Sequence, residues 1–108
     1  MFTMTCSRND IVLLPIPFTD LRSIKVRPAI VVGHGRFAGD LFVMPLTSQQ
    51  VNWDFSLHDW RKAGLNVPSG VKSQIATVEE VLVRKIIGKI TPADTEVVDQ
   101  HLRAWFQL

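Results

Sequence analysis

A mainly β domain closed by one C-terminal helix is the fold class this sequence predicts. Three observations point to it. Short apolar runs rich in β-branched residues recur as far as Ile90, turn residues separate them, and helical periodicity is clearest after Thr91. The chain has 108 residues, which suits a single domain (1–108) around one core. Its 46% apolar and 20% charged residues give a globular composition.

Asp10 to Phe18 (DIVLLPIPF) reads as the first strand. Pro15 and Pro17 cannot donate to a ladder, so this strand should lie at an edge, bend there or end early. Thr19 to Lys25 reads as a polar loop. Pro28 to Val32 is an apolar run stopped by Gly33, and Leu41 to Leu46 is another, bounded by Gly39-Asp40 and by Thr47-Ser48-Gln49. Short connections between the three strands predict an antiparallel meander. No glycine-rich βα turn lies between them, which argues against a doubly wound nucleotide-binding fold.

Trp53, Phe55 and Leu57 alternate with polar residues as in a half-buried strand, and Asp59 to Leu65 reads as one helical turn or tight loop. Asn66 to Gly70 is turn chemistry. Val71 to Val78 alternates loosely as a further strand, Glu79 to Leu82 can form a turn of helix, and Val83 to Ile90 returns to strand, with Gly88 marking a bulge or close approach. Thr91 then suits an N-cap, Pro92 the first helical position, and Asp94 the positive end of the dipole. Val98, Leu102 and Trp105 follow at helical spacing, flanked by Val97, His101 and Phe106. The sum is a small bent sheet or open barrel with a terminal helix and no internal repeat.

The formal net charge is +2, but it is unevenly placed. Leu21 to Gly39 holds Arg22, Lys25, Arg27 and Arg36 with no acid, whereas the stretch after Thr91 holds Asp94, Glu96 and Asp99 against Arg103. Such asymmetry makes one face attractive to a polyanion; a solvated basic loop is the bland alternative. The single cysteine, Cys6, cannot make an internal disulfide, and the opening MFTMTCSRND has no signal-peptide pattern, so a cytoplasmic protein is expected. No apolar run has the length of a membrane span. No His, Cys, Asp and Glu grouping has metal-ligand spacing, and no cofactor is expected.

Two clusters can grip phosphate. Arg27, in VRPAIVV, presents a planar fork of donors that stays charged; Thr47, Ser48 and Gln49, in MPLTSQ, supply short neutral donors. Each has an ordinary structural explanation, a surface arginine before proline and a strand-ending turn. Together with DIVLLPIPFTDL, DWRKAGLNVPSG and VRKIIGKI, however, they fall in the order and spacing of the MazF/PemK-like toxins of bacterial toxin-antitoxin systems, and the chain resembles the PemK-like branch. The resemblance runs from about Asp10 to the final helix. It implies an SH3-like barrel of the CcdB/PemK kind, a homodimer, and a metal-free, sequence-specific endoribonuclease acting on single-stranded mRNA and neutralised by a cognate antitoxin.

On that resemblance Arg27 and Thr47 are the expected catalytic residues, with Ser48 and Gln49 beside them. Arg22, Lys25, Arg61 and Lys62 are expected to follow phosphates, and Trp53, Phe55 or Trp60 to stack a base, as single-stranded RNA is usually held. Packing is the competing role for the tryptophans. Some family members carry an acid and a second arginine in the strand after the PS turn. Here it reads VKSQIATV, with Ser73 and Ala76 at those places and Lys72 as a shifted substitute, and Lys72 and Ser73 join the expected binding residues. The general base is unassigned; His34 and His58 are chemical candidates. Two other functions stay open: a CcdB-like toxin that binds DNA gyrase, and an RNA-binding member without turnover.

Overall fold

The computed structural model describes residues 5–16 and 25–108. The elements within them are β1 (Asp10–Ile16), β2 (Lys25–His34), β3 (Asp40–Thr47), β4 (Phe55–Ser56), β5 (Gly70–Val71), β6 (Ala76–Glu79), β7 (Lys85–Lys89) and α1 (Pro92–Phe106), with 3-10 turns at Gln50–Asn52 and Glu80–Leu82. The expected loop residues Thr19 to Ile24, Arg22 among them, and the Pro17-Phe18 end of the first predicted strand lie outside the described residues.

The first three strands form the predicted antiparallel meander, with Ile11 opposite Ile30 and Ile30 opposite Met44. The strand order is β4-β5-β3-β2-β1-β7, and every ladder is antiparallel. Among the described residues no ladder joins the edge strands β4 and β7, so the sheet is open, as the expected bent sheet or open barrel would have it. The far edge of β3 is shared: β6 pairs Asp40 to Val43, and β5 pairs Leu46 and Thr47.

Proline explains where the ladders stop. Pro15 lies beyond Leu13↔Lys85, the last pair of β1 with β7. Pro28 lies beyond Ala29↔Pro45, the last pair of β2 with β3, and Pro45 falls between the two partners of β3. A residue without an N–H is tolerated where a neighbour is missing. The site lies at these interrupted ends.

Alternation along the strands divides the core between two clusters. Ile11, Ile30, Met44 and Leu46 join Leu57, Ala63, Leu65 and Val98. Val12, Leu14, Ala29, Val31, Leu41 and Val43 join Cys6 and Val83. Register shifts between Val31 and Gly33 and between Ile11 and Val12 are the bulges of this sheet.

The predicted helix is present with its caps. Thr91 Oγ1 accepts the Asp94 N–H at 3.3 Å, Pro92 opens the helix, and Gln107 ends it in the left-handed region at φ 59°. Val98 is buried, the Phe55 ring stacks on His101 at 3.9 Å, and the Arg8 guanidinium holds Asp99 at 2.6 Å. Among the described residues no helix is long and apolar enough to cross a membrane.

Two expected strands are shorter than their alternation suggested. Of Trp53 to Leu57 only Phe55–Ser56 pairs, after the 3-10 turn. The run Val71 to Val78 is broken between β5 and β6, where the Gln74 N–H donates to the Lys72 carbonyl at 2.7 Å and turns the chain at Ser73.

Candidate active site

Continuing the β2–β3 register from Ala29↔Pro45 by two positions sets Arg27 across from Thr47. Both lie past the last paired residues of that ladder, Arg27 still paired with Leu14 on β1 and Thr47 with Gly70 on β5. Arg27, Leu46 and Thr47 line both a cleft of about 700 Å³ and a smaller pocket of about 180 Å³. They form the ridge between the two.

Thr47 is held from three sides. Its carbonyl accepts the Trp53 indole N–H at 2.7 Å, its Oγ1 accepts the Gln49 N–H at 3.1 Å, and its backbone pairs with Gly70 on β5. The hydroxyl oxygen being occupied by a donor, its proton is available to donate outward. The Trp53 ring lies over Gly70 so closely that a Cβ there would overlap it. Trp53 is half-buried behind Thr47 and therefore braces this strand end.

The larger cleft gathers Lys25, Arg27 and Ser48 with Lys85, which sits on β7 opposite Leu13. Lys85 was not singled out from sequence. The basic pair Arg84-Lys85 was visible, but only the β1–β7 register carries it to the cleft. Across from these groups stand Leu65 and Val67, apolar surface suited to a sugar or base. Lys72 and Gln49 line the smaller pocket with Asn52 and Gln74, two amides that sequence reading also passed over. Among the described residues none of the cationic groups at the site is in an ion pair.

Other expected residues lie elsewhere. Arg61 and Lys62 border a separate concavity with His58, Asp59 and Trp60, where the Arg61 guanidinium stands 4.9 Å from the Trp60 ring centre. Ser73 is exposed at its turn and lines neither space. His34 ends β2 at its far end from Arg27 and donates Nε2–H to the Cys6 carbonyl at 2.9 Å. No carboxylate or imidazole among the described residues lines the cleft or the small pocket. No group of His, Cys, Asp and Glu side chains among them is arranged to hold a metal ion.

The wall that carries Leu65 is fixed through the helix. The buried Asp94 carboxylate accepts the His58 and Asp59 N–H groups at 3.0 and 2.8 Å, and Thr91 Oγ1 donates to Asp59 Oδ2 at 3.1 Å. Gly64, at φ +98°, then meets β7 backbone to backbone. A Cβ on Gly64 would overlap the Ile87 carbonyl, and one on Gly88 the Ala63 carbonyl. Gly88 thus marks a close approach, beside the bulge.

A family model described as PemK-like, MazF-like toxin of type II toxin-antitoxin system matches residues 7–106. Among curated proteins none matches the chain. Of solved structures, an endoribonuclease in complex with its cognate antitoxin from a mycobacterial species is similar at 19% identity, TM-score 0.70, over 94% of this chain and 92% of that one. The Mycobacterium tuberculosis toxin MazF-mt6 is similar at 18% identity, TM-score 0.71, over 92% of this chain and 97% of that one. An endoribonuclease from a mycobacterial species is similar at 16% identity, TM-score 0.71, over 100% of this chain and 97% of that one. At these identities the likeness is one of fold.

Proposed function

The chain belongs to the PemK-like, MazF-like toxins of type II toxin-antitoxin systems, and from that premise we propose that it is a metal-independent endoribonuclease that cuts single-stranded RNA at a recurring short sequence. The observation that carries this reading is the cross-strand placement of Arg27 and Thr47 on the ridge between cleft and pocket.

In such a reaction the 2′-oxygen attacks the adjacent phosphorus, the bond from phosphorus to the 5′-oxygen breaks, and a 2′,3′-cyclic phosphate and a 5′-hydroxyl result. The guanidinium of Arg27 stabilises the charge that grows on the equatorial oxygens. With a pKa above about 12 it is unsuited to taking the 2′ proton. Thr47, its oxygen engaged by Gln49 N–H, donates a hydrogen bond to a phosphate oxygen and keeps its proton. The 2′ proton passes to solvent water and solvent water protonates the leaving 5′-oxygen, since no carboxylate or imidazole among the described residues lines the cleft. Lys25, Ser48 and Lys85 hold the neighbouring phosphates, and in-line attack favours an unpaired strand. Arg61, Lys62 and Ser73 have no part in this reading of the cleft; Arg22 lies outside the described residues.

A cognate antitoxin is the protein partner that family membership implies, and an endoribonuclease of the same fold is bound to one. We read the toxin as a cytoplasmic homodimer on the same grounds. The test is incubation of wild type and Arg27→Ala with a long single-stranded RNA in excess EDTA, with ends mapped by primer extension. Discrete cuts at a recurring sequence, lost at least about 100-fold in the variant while its melting curve is unchanged, support the reading. Intact RNA with wild-type protein removes it and returns weight to gyrase binding.

A further inference from the structure

We propose that the small pocket beside Thr47 is a base-reading subsite selective for a keto base, uracil or guanine, next to the scissile phosphate. The proposal rests on the ribonuclease reading of the same site. The pocket's 180 Å³ is too small for an extended ligand and suits a single planar ring. It shares Arg27 and Thr47 with the larger cleft, so a nucleotide whose phosphate lies on the ridge has this space within reach of its own or its neighbour's base.

The lining is made to read edges. Pro45 and Leu46 give an apolar surface, while Gln49, Asn52 and Gln74 bring three amides, the groups that can both donate and accept in one plane. Asn52 Nδ2 donates to Gln49 Oε1 at 3.0 Å, which occupies one lone pair of that oxygen and one Asn52 N–H and leaves both Gln49 amide N–H groups for a ligand. The Gln74 amide has no hydrogen-bond partner among the described residues, and Lys72 adds an ammonium without an ion pair there. Donors therefore outnumber acceptors. The surplus of donors favours a carbonyl oxygen at O4 of uracil or O6 of guanine over the amino groups that cytosine and adenine carry at those positions, while the amide oxygens of Asn52 and Gln74 can accept the adjacent ring N–H of a keto base.

Amide NH₂ signals of asparagine and glutamine are visible directly by NMR, so binding can be read without turnover. Wild-type protein is titrated with each of the four nucleoside 3′-monophosphates and with inorganic phosphate, and the cleavage map of Gln74→Leu is compared with that of wild type. Shifts of the Gln49, Asn52 and Gln74 amide signals with the uridine or guanosine nucleotide, and not with the other two or with phosphate, are expected. Gln74→Leu should lose preference at one base position and fall about tenfold in kcat/KM at the preferred sequence. Equal responses to all four nucleotides, no response to any, or an unchanged cleavage map in Gln74→Leu would overturn the subsite. Selective nucleotide binding by a wild-type protein that cuts no RNA would keep the subsite and dismiss the nuclease.

Discussion

At the scale of single residues, the proposed chemistry depends on the shape of Arg27 as much as on its charge. Arg27→Lys keeps a cation but loses the planar fork, so kcat should still fall about 100-fold, while the urea midpoint stays put because the side chain is exposed. With no imidazole among the described cleft residues, kcat/KM should show no limb near the histidine pKa of about 6.5, and His34→Ala should retain wild-type rates. A full histidine limb in the profile would contradict that. Cys6 behaves differently. Burial pushes its thiol up from 9.0 to about 11, aided by the charge and hydrogen bond of Glu80 and by the charge of Asp10. The folded protein thus holds this proton more tightly than the unfolded chain. The resulting stability is complete below pH 9 and is lost as pH rises to about 11. Cys6→Ala should flatten that alkaline decline, measured as urea midpoints across the same range.

At the scale of elements, the helix serves the cleft by its first turn. Asp94 accepts from two backbone N–H groups of the turn that carries Leu65, so Asp94→Ala leaves two part-buried donors without their carboxylate and should cost about 1–3 kcal/mol in urea unfolding, with Asp94→Asn intermediate. The caps of this helix could be read from Thr91, Pro92 and Asp94, because local hydrogen bonding dictates them. That Asp94 also reaches back to His58 and Asp59 was not legible, since nothing in a sequence marks a contact across some thirty-five residues. The meander was legible for a similar local reason: each strand is a short apolar run with turns at its ends. The break between β5 and β6 was not. It exists because β3 changes partners at Pro45, a fact about a distant strand and not about the residues that turn.

At the scale of the whole molecule, the candidate site is assembled from strand ends that the fold brings together. Arg27 and Thr47 could be picked out only because the order of their motifs resembles that of the MazF/PemK-like toxins, each having an ordinary structural explanation by itself; Lys85, Asn52 and Gln74 could not, because registers and loop paths decide where they lie. Three cations line the larger cleft: Lys25, Arg27 and Lys85. If each neutralises a phosphate, the logarithm of RNA affinity should fall with the logarithm of salt at a slope of about −2, and Lys85→Ala should lessen that slope by about 0.7. Binding isotherms with a non-cleavable RNA at several salt concentrations give both values, and an unaltered slope would place Lys85 outside the contact.

The amides of the small pocket hold no place in either core cluster: Asn52 ends an exposed 3-10 turn and Gln74 follows the Ser73 turn. Replacing them disturbs little packing, whereas replacing Met44 or Val43 would open the interior. If the small pocket reads a base as proposed, the preferred sequence can drift by single substitutions on a framework that need not change. On the proposed reading, two chains that differ only at these amides would share one fold and cut different sequences.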